Sequence, residues 1–125
     1  MKNCPCGNPT EYMNCCGKYH RGALPENALA LMRSRYSAYA LQLADYIIET
    51  THPKGHVPSK AEVLLFCQST SFEGLKILKF TDGPHEAYVT FTAYLKQGGK
   101  DATFTEESFF IKTNGRWLYK SGKHL

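Results

Sequence analysis

From residue 24 onward the apolar positions recur first every three to four residues and then every two, whereas the first 22 residues show no period. Met32, Tyr36, Tyr39, Leu43 and Ile47 follow at steps of four, three, four and four, which lines one face of a helix and predicts that face as core. Pro25 suits a helix start, because its missing N–H would be unpaired in the first turn anyway. The stretch from Pro25 to Thr51 is long for a small domain, and Asp45 can cap a second helix, so a break is expected between Gln42 and Asp45. Ser59-Lys60-Ala61-Glu62 has the form of a capping box ahead of Val63, Leu64 and Phe66 and opens a third helix. His52 to Pro58 reads as a loop.

After Gly74 the period is two. Leu75–Phe80, Glu86–Lys96, Ala102–Lys112 and Arg116–Lys120 read as strands, separated by Asp82-Gly83-Pro84, Gly98-Gly99 and Asn114-Gly115. Asn114-Gly115 suits a two-residue type I′ turn, which needs positive φ at both central positions. Counting back from that turn and from Gly98-Gly99 pairs Phe110 with Tyr119, Ala93 with Phe104 and Phe91 with Glu106. One face of the sheet then carries Val89, Phe91, Ala93, Leu95, Phe104, Phe110, Trp117 and Tyr119, interrupted by Glu106 and Ser108. The other face, with Tyr88, Thr90, Thr92, Tyr94, Thr103, Thr105, Glu107, Arg116 and Lys120, reads as wet. Helices first and a four-stranded antiparallel sheet second make the chain α+β.

Composition adds a boundary. At 125 residues with 42% hydrophobic and 21% charged residues, the chain is of single-domain size and globular composition. Four of its five cysteines nevertheless fall in the first sixteen residues. Residues 1–22 therefore read as a separate small segment and 23–125 as the α+β domain, the two expected to be separable. No run approaches the roughly 18 consecutive apolar residues of a membrane span, and MKNCPCGN offers no apolar signal segment, so a cytoplasmic location is expected. A charge of +4 and a pI near 8.8 are only mildly basic and select no ligand.

Cys4, Cys6, Cys15 and Cys16 form two tight pairs, with Gly7 and Gly17 directly after them. Glycine lets the backbone turn so that amides can face sulfur. Four thiolates fit a closed tetrahedral Zn2+ site of the structural kind, which supplies folding energy to a segment with almost no apolar side chains. Alternatives are disulfides, an iron–sulfur cluster or free thiols, and His20 can replace one of the last two thiolates. Disulfides are disfavoured without signs of secretion and by the strain of bridging adjacent cysteines.

The run CPCGNPTEYMNCCG resembles the SEC-C motif, the zinc-binding knuckle at the C-terminus of the translocation motor SecA, with Cys4, Cys6, Cys15 and Cys16 on its ligand positions. Asn8-Pro9 stands where that motif usually has Ser-Gly. In the motor the knuckle docks a chaperone and the ribosome, so the resemblance implies a docking role rather than catalysis. LMRSRYSAYALQLADYIIETTHP, GLKIL, EESFF and GRWLY are similar to the YchJ-like family, in which such a knuckle precedes a nuclear-transport-factor-2-like cone. The resemblance covers essentially the whole chain and implies a curved sheet enclosing a pocket against the helices. Many members end in a second knuckle, and no cysteine follows Cys67 here.

Outside the knuckle, Glu106 is the most informative residue, since a carboxylate on an apolar face is costly unless paired. It is expected to be buried and to meet Arg33, Arg35, Tyr36 or His52, within a cavity formed by Arg35, Tyr36, His52, Phe91, Glu106, Ser108, Phe110, Trp117 and Tyr119. Cys67 reads as a small core residue, and His52 and His56 as loop histidines. The leading expectation is a non-enzymatic module whose knuckle, with Lys2, Lys18, His20 and Arg21 around it, docks a protein partner or the ribosome or RNA. The alternative is a small-molecule binder or enzyme using Glu106 as acid or base. Association of two copies through the sheet is a further expectation.

Overall fold

The structure is a computed structural model that describes residues 3–125. Lys2, assigned above to the knuckle surface, lies outside the described residues. Ahead of the main domain, a 3-10 turn at Tyr12–Asn14 leads into the short helix α1 (Cys16–His20). The sequence carried no period to announce α1. Three further helices follow: α2 (Ala28–Ala40), α3 (Ala44–Glu49) and α4 (Lys60–Gln68).

The boundaries show which local signals prevailed. Helix α2 starts after Asn27, whose side chain accepts from the Ala30 amide at 2.8 Å; Pro25 lies outside the helix, because an Asn with a free side-chain oxygen is the stronger cap. The expected break is present, but Asp45 does not make it. Gln42 takes a left-handed φ of 62°, while the Leu43 amide bonds Ala38 O and the Gln42 amide bonds Tyr39 O. This double closure is a Schellman-type helix end. Leu43 then occupies the cap position of α3 without a side-chain bond, and Asp45 lies inside its first turn. The Ser59–Glu62 capping box is fully formed.

Strands β1 (Ser71–Thr81), β2 (Glu86–Gln97), β4 (Phe104–Thr113) and β5 (Arg116–His124) form an antiparallel sheet in the order β1-β2-β4-β5, and a two-residue β3 (Lys100–Asp101) pairs with β2. The turns set the expected register: Phe91 faces Glu106, Ala93 faces Phe104 and Phe110 faces Tyr119. Strand β1 starts four residues before the expected Leu75–Phe80 and ends one residue after it, and β5 runs four residues past Lys120. Register shifts interrupt β1–β2 twice and β4–β5 once, between Phe109 and Phe110. Such bulges bend a sheet and strengthen its twist. Helix α2 packs on the resulting concave face through Leu31, Met32 and Tyr36, against Val89, Phe91 and Phe110. Burying each such large side chain is worth about 1.5–3 kcal/mol. Cys67 is buried beside Ala38, Ile47 and Val63 as a core residue.

The outer sheet face exposes Tyr88 and Tyr94. The segment after α3 runs along β5, where the His52 amide bonds Tyr119 O and the Tyr119 amide bonds Thr50 O, both at 2.8 Å. Among the described residues, no helix is long and apolar enough to cross a membrane.

Candidate functional site

Two chemically distinct places stand out, the cysteine knuckle and a cavity under α2. In the knuckle the chain folds back on itself, with the Cys4 amide on Thr10 O and the Gly7 amide on Cys4 O. Gly7 adopts φ +93°, a turn that a side chain would strain. Gly17 serves differently: it sits in α1 so close to the Tyr12 carbonyl that a Cβ would collide. The sulfur atoms of Cys4, Cys6, Cys15 and Cys16 all lie within 4.8 Å of one another, and none is bridged to another. Cys4, Cys6 and Cys16 are buried and Cys15 is half-buried.

The sulfur cage draws donors from its own loop and from α2. Asn8 Nδ2 donates to Cys15 Sγ at 3.5 Å, Ser37 Oγ lies 3.4 Å from Cys4 Sγ, and Arg33 Nη1 donates to Cys6 O at 3.2 Å. The thiol bond from Cys16 holds Cys6 down at about 5, aided by the Asn8 amide, while the Cys16 thiol is itself pushed up. The lowered Cys6 pKa favours the thiolate, the form in which a cysteine binds a metal. His20 is excluded as a ligand: Nδ1 lies 2.6 Å from Tyr12 Oη and Nε2 lies 2.8 Å from Ser34 O. With both ring nitrogens engaged and the ring packed edge-on to Tyr46, His20 joins the knuckle to α2. It does not contribute to the basic outer surface.

Beyond the knuckle, residues 27–122 match the family model described as the YchJ middle NTF2-like domain. The chain belongs to the YchJ-like family. A solution structure of a SEC-C motif containing protein from Rhodopseudomonas palustris is similar over 99% of both chains, at 34% identity and a TM-score of 0.91. A crystal structure of a SEC-C motif containing protein from Psychrobacter arcticus is similar over 97% of this chain and 81% of the other, at 27% identity and a TM-score of 0.86.

In this YchJ-like chain the concave sheet and helices α2 and α4 border a partly open cavity of about 180 Å³. Of the residues assigned to it from the sequence, Arg35, Tyr36, Phe91, Glu106, Ser108, Phe110 and Tyr119 line it. His52 and Trp117 do not. The backbone of His52 is committed to β5, and its Nδ1 accepts from the Lys54 amide. Trp117 is buried near the turn, with Lys112 over its ring.

Glu106 is part-buried rather than fully buried, its side chain 13% exposed, and its hydrogen-bond partners come from the sheet and not from a helix. Its Oε2 accepts from Ser108 Oγ at 2.6 Å and from Tyr119 Oη at 3.2 Å, and its Oε1 lies 3.4 Å from His124 Nε2. Arg35 instead donates from Nη1 to Ile47 O, Thr50 Oγ1 and Thr51 Oγ1, and its guanidinium lies 4.6 Å over the Tyr119 ring. Arg33 turns to the knuckle, and Tyr36 donates to Gly74 O. Burial pulls the Arg35 pKa down, whereas burial and the nearby Glu106 charge push the Tyr119 hydroxyl up. Gly122 and His124 were missed from sequence because Ser121–His124 carries no apolar alternation. The bulge brings Gly122 opposite Ser108 and His124 opposite Glu106.

Proposed function

We propose that this YchJ-like protein is a zinc-binding accessory module whose knuckle docks a protein partner, while the NTF2-like domain serves as its scaffold. The observation that carries the reading is the mutual approach of four sulfurs within 4.8 Å. A tetrahedral zinc with Zn–S bonds of about 2.3 Å requires sulfur separations near 3.8 Å, and Cys6 and Cys15 already lie 3.7 Å apart. An all-thiolate cage favours zinc or an iron–sulfur centre, and a polynuclear cluster would place its own iron and sulfide atoms between the thiolates. Zinc bound by all four would supply cross-linking of the loop, with no open position for substrate.

The chain's own residues prepare that role. Asn8, Ser37 and Arg33 orient the sulfurs and offset their charge, as outer partners of metal ligands commonly do. Outside the cage, exposed Lys18 and Arg21 provide positive charge, and Arg21 packs on the exposed Met13 through Met13 O at 3.1 Å. An apolar spot beside fixed cations suits an acidic protein segment, and such contacts weaken as salt screens them.

The test has two arms. Elemental analysis of native protein is expected to return one zinc per chain, and a Cys15→Ser variant to lose most of it; iron or no metal rejects the zinc assignment. Partner capture with tagged holoprotein is expected to fall on chelation, on an Arg21→Glu substitution and at high salt. Capture that survives chelation moves docking to the NTF2-like domain, and capture abolished by ribonuclease makes the partner RNA.

A further inference from the structure

The knuckle reading leaves the cavity without a role, and the cavity is not a simple packing defect. Its walls are aromatic, with Tyr36, Tyr39, Phe66, Phe72, Phe91 and Phe104 around it. One end is polar and specifically built. Gly122 is the residue that makes room there: a Cβ at that position would overlap the Glu106 carboxylate and crowd Tyr119 Oη. The β4–β5 bulge sets this glycine on the cavity side, so Glu106 can lie flat against β5 and still border the cavity.

Charge and hydrogen bonding define what fits. Glu106 Oε2 is occupied by Ser108 and Tyr119. Oε1 has a long 3.4 Å approach from His124, whose side chain is 71% exposed and whose ring stacks on Phe104, so that oxygen retains capacity to accept. Arg35 is engaged by three acceptors and by the Tyr119 ring. Arg35 and Glu106 place opposite charges on the same cavity, so a charged ligand drawn to one is repelled by the other, and a neutral ligand escapes the cost of leaving water as an ion. A dry cavity of about 150 Å³ holds benzene, so 180 Å³ accommodates a ring with a small substituent.

We infer that the cavity is a binding site for a small uncharged aromatic compound bearing an O–H or N–H donor, with the ring among the phenylalanines and the donor on Glu106. The inference is independent of the metal reading, because no knuckle residue lines the cavity.

The experiment titrates the full chain with phenol, toluene and benzoate, following the amide resonances of Phe91 and Ala93 and the methyl resonance of Ala93. A hydrogen bond to a charged acceptor is worth about a factor of ten or more, so phenol is expected to bind about tenfold more tightly than toluene, and benzoate more weakly than phenol. Glu106→Met should bring phenol down to the toluene level. Gly122→Ala, which displaces the carboxylate with a smaller change in composition, should do the same if Glu106→Met fails to fold. Ala93→Phe should abolish binding of both rings while the near-ultraviolet circular dichroism stays native-like. Equal affinities for phenol and toluene, tightest binding by benzoate, absence of shifts up to the solubility limit of phenol, or phenol binding unchanged by Gly122→Ala would each overturn the proposal.

Discussion

The knuckle and the cavity corner both gather polar groups from separate parts of the chain, yet they are held by opposite means. In the knuckle the buried groups are mainly the sulfurs themselves, with Tyr12 and Leu75 as partly buried neighbours. Under the zinc reading, its shape depends on what joins four thiols. In the cavity corner Glu106, Ser108 and Tyr119 are held by a sheet whose core includes Phe110 and Val89, both essentially inaccessible. Their shape is fixed by apolar burial before any ligand arrives. The contrast teaches that a site on a well-packed sheet can keep a preorganised cavity, whereas a short polar segment needs a bond-like cross-link to have a structure at all.

The largest effect that can break this comparison is metal removal. Structural zinc in isolated fingers is worth about 10–16 kcal/mol near neutral pH, while each docking hydrogen bond from α2 is worth about 1 kcal/mol. Chelation, or Cys6→Ser, should therefore strip hydrogen-exchange protection from residues 4–20 and leave β2 and β4 protected. Loss of protection throughout would show that the knuckle staples the whole chain, through His20 on Ser34 and Arg33 on Cys6.

Phe110→Ala probes the other side. It removes a fully buried ring and should cost about 3–5 kcal/mol in urea unfolding, with zinc content unchanged at low denaturant. A cost below about 1 kcal/mol would mean that burial at this corner matters less than the comparison requires. Glu106→Gln should cost only about 1 kcal/mol, because the amide oxygen can still accept from Ser108 and Tyr119. A loss of about 3–5 kcal/mol is what a stranded buried cation would produce, and would make Arg35 the energetic partner of Glu106 despite its contacts with α3 and the following residues.

The smallest effect concerns acid. The Tyr19 hydroxyl, 2.6 Å from Glu26, holds that carboxyl below its ordinary value of 4.5. A depressed carboxyl pKa contributes stability above the ordinary value, and that contribution is lost as pH falls through the lowered one. Acid titration below about pH 4.5 should therefore weaken the attachment of α1 to the segment before α2, and Glu26→Gln should remove the dependence. Amide exchange at Gly22 and Ala23, measured in wild type and variant, checks it.

Most of the sheet register was readable because Asn114-Gly115 and Gly98-Gly99 are short turns whose backbone demands few residues meet, and alternation then carries the faces outward. The same logic ended at Lys120. Beyond it no apolar residue marks a face, and the bulge reverses the parity on which counting relied. His124 was missed for this reason, whereas Ser108 and Tyr119 already shared the expected face with Glu106 and were passed over for helix-borne partners; His20 was misjudged because a histidine three positions beyond a Cys-Gly pair looks like a ligand until both nitrogens are seen to be engaged.

The amino-acid sequence by itself determined the features that neighbouring residues can settle: the four-cysteine set, the Ser59–Glu62 capping box, the turns and the order of helices before strands. Only the tertiary structure decided that His20 serves as a brace, that Arg35 turns to the carboxyl end of α3, and that Gly122 clears space for a carboxylate beside an aromatic cavity. A cap or a turn is a contest among a few adjacent backbone groups, and its outcome is written where it occurs. A cavity is the volume left between surfaces contributed by residues 32 to 119, and a one-residue bulge is enough to change which side chains border it.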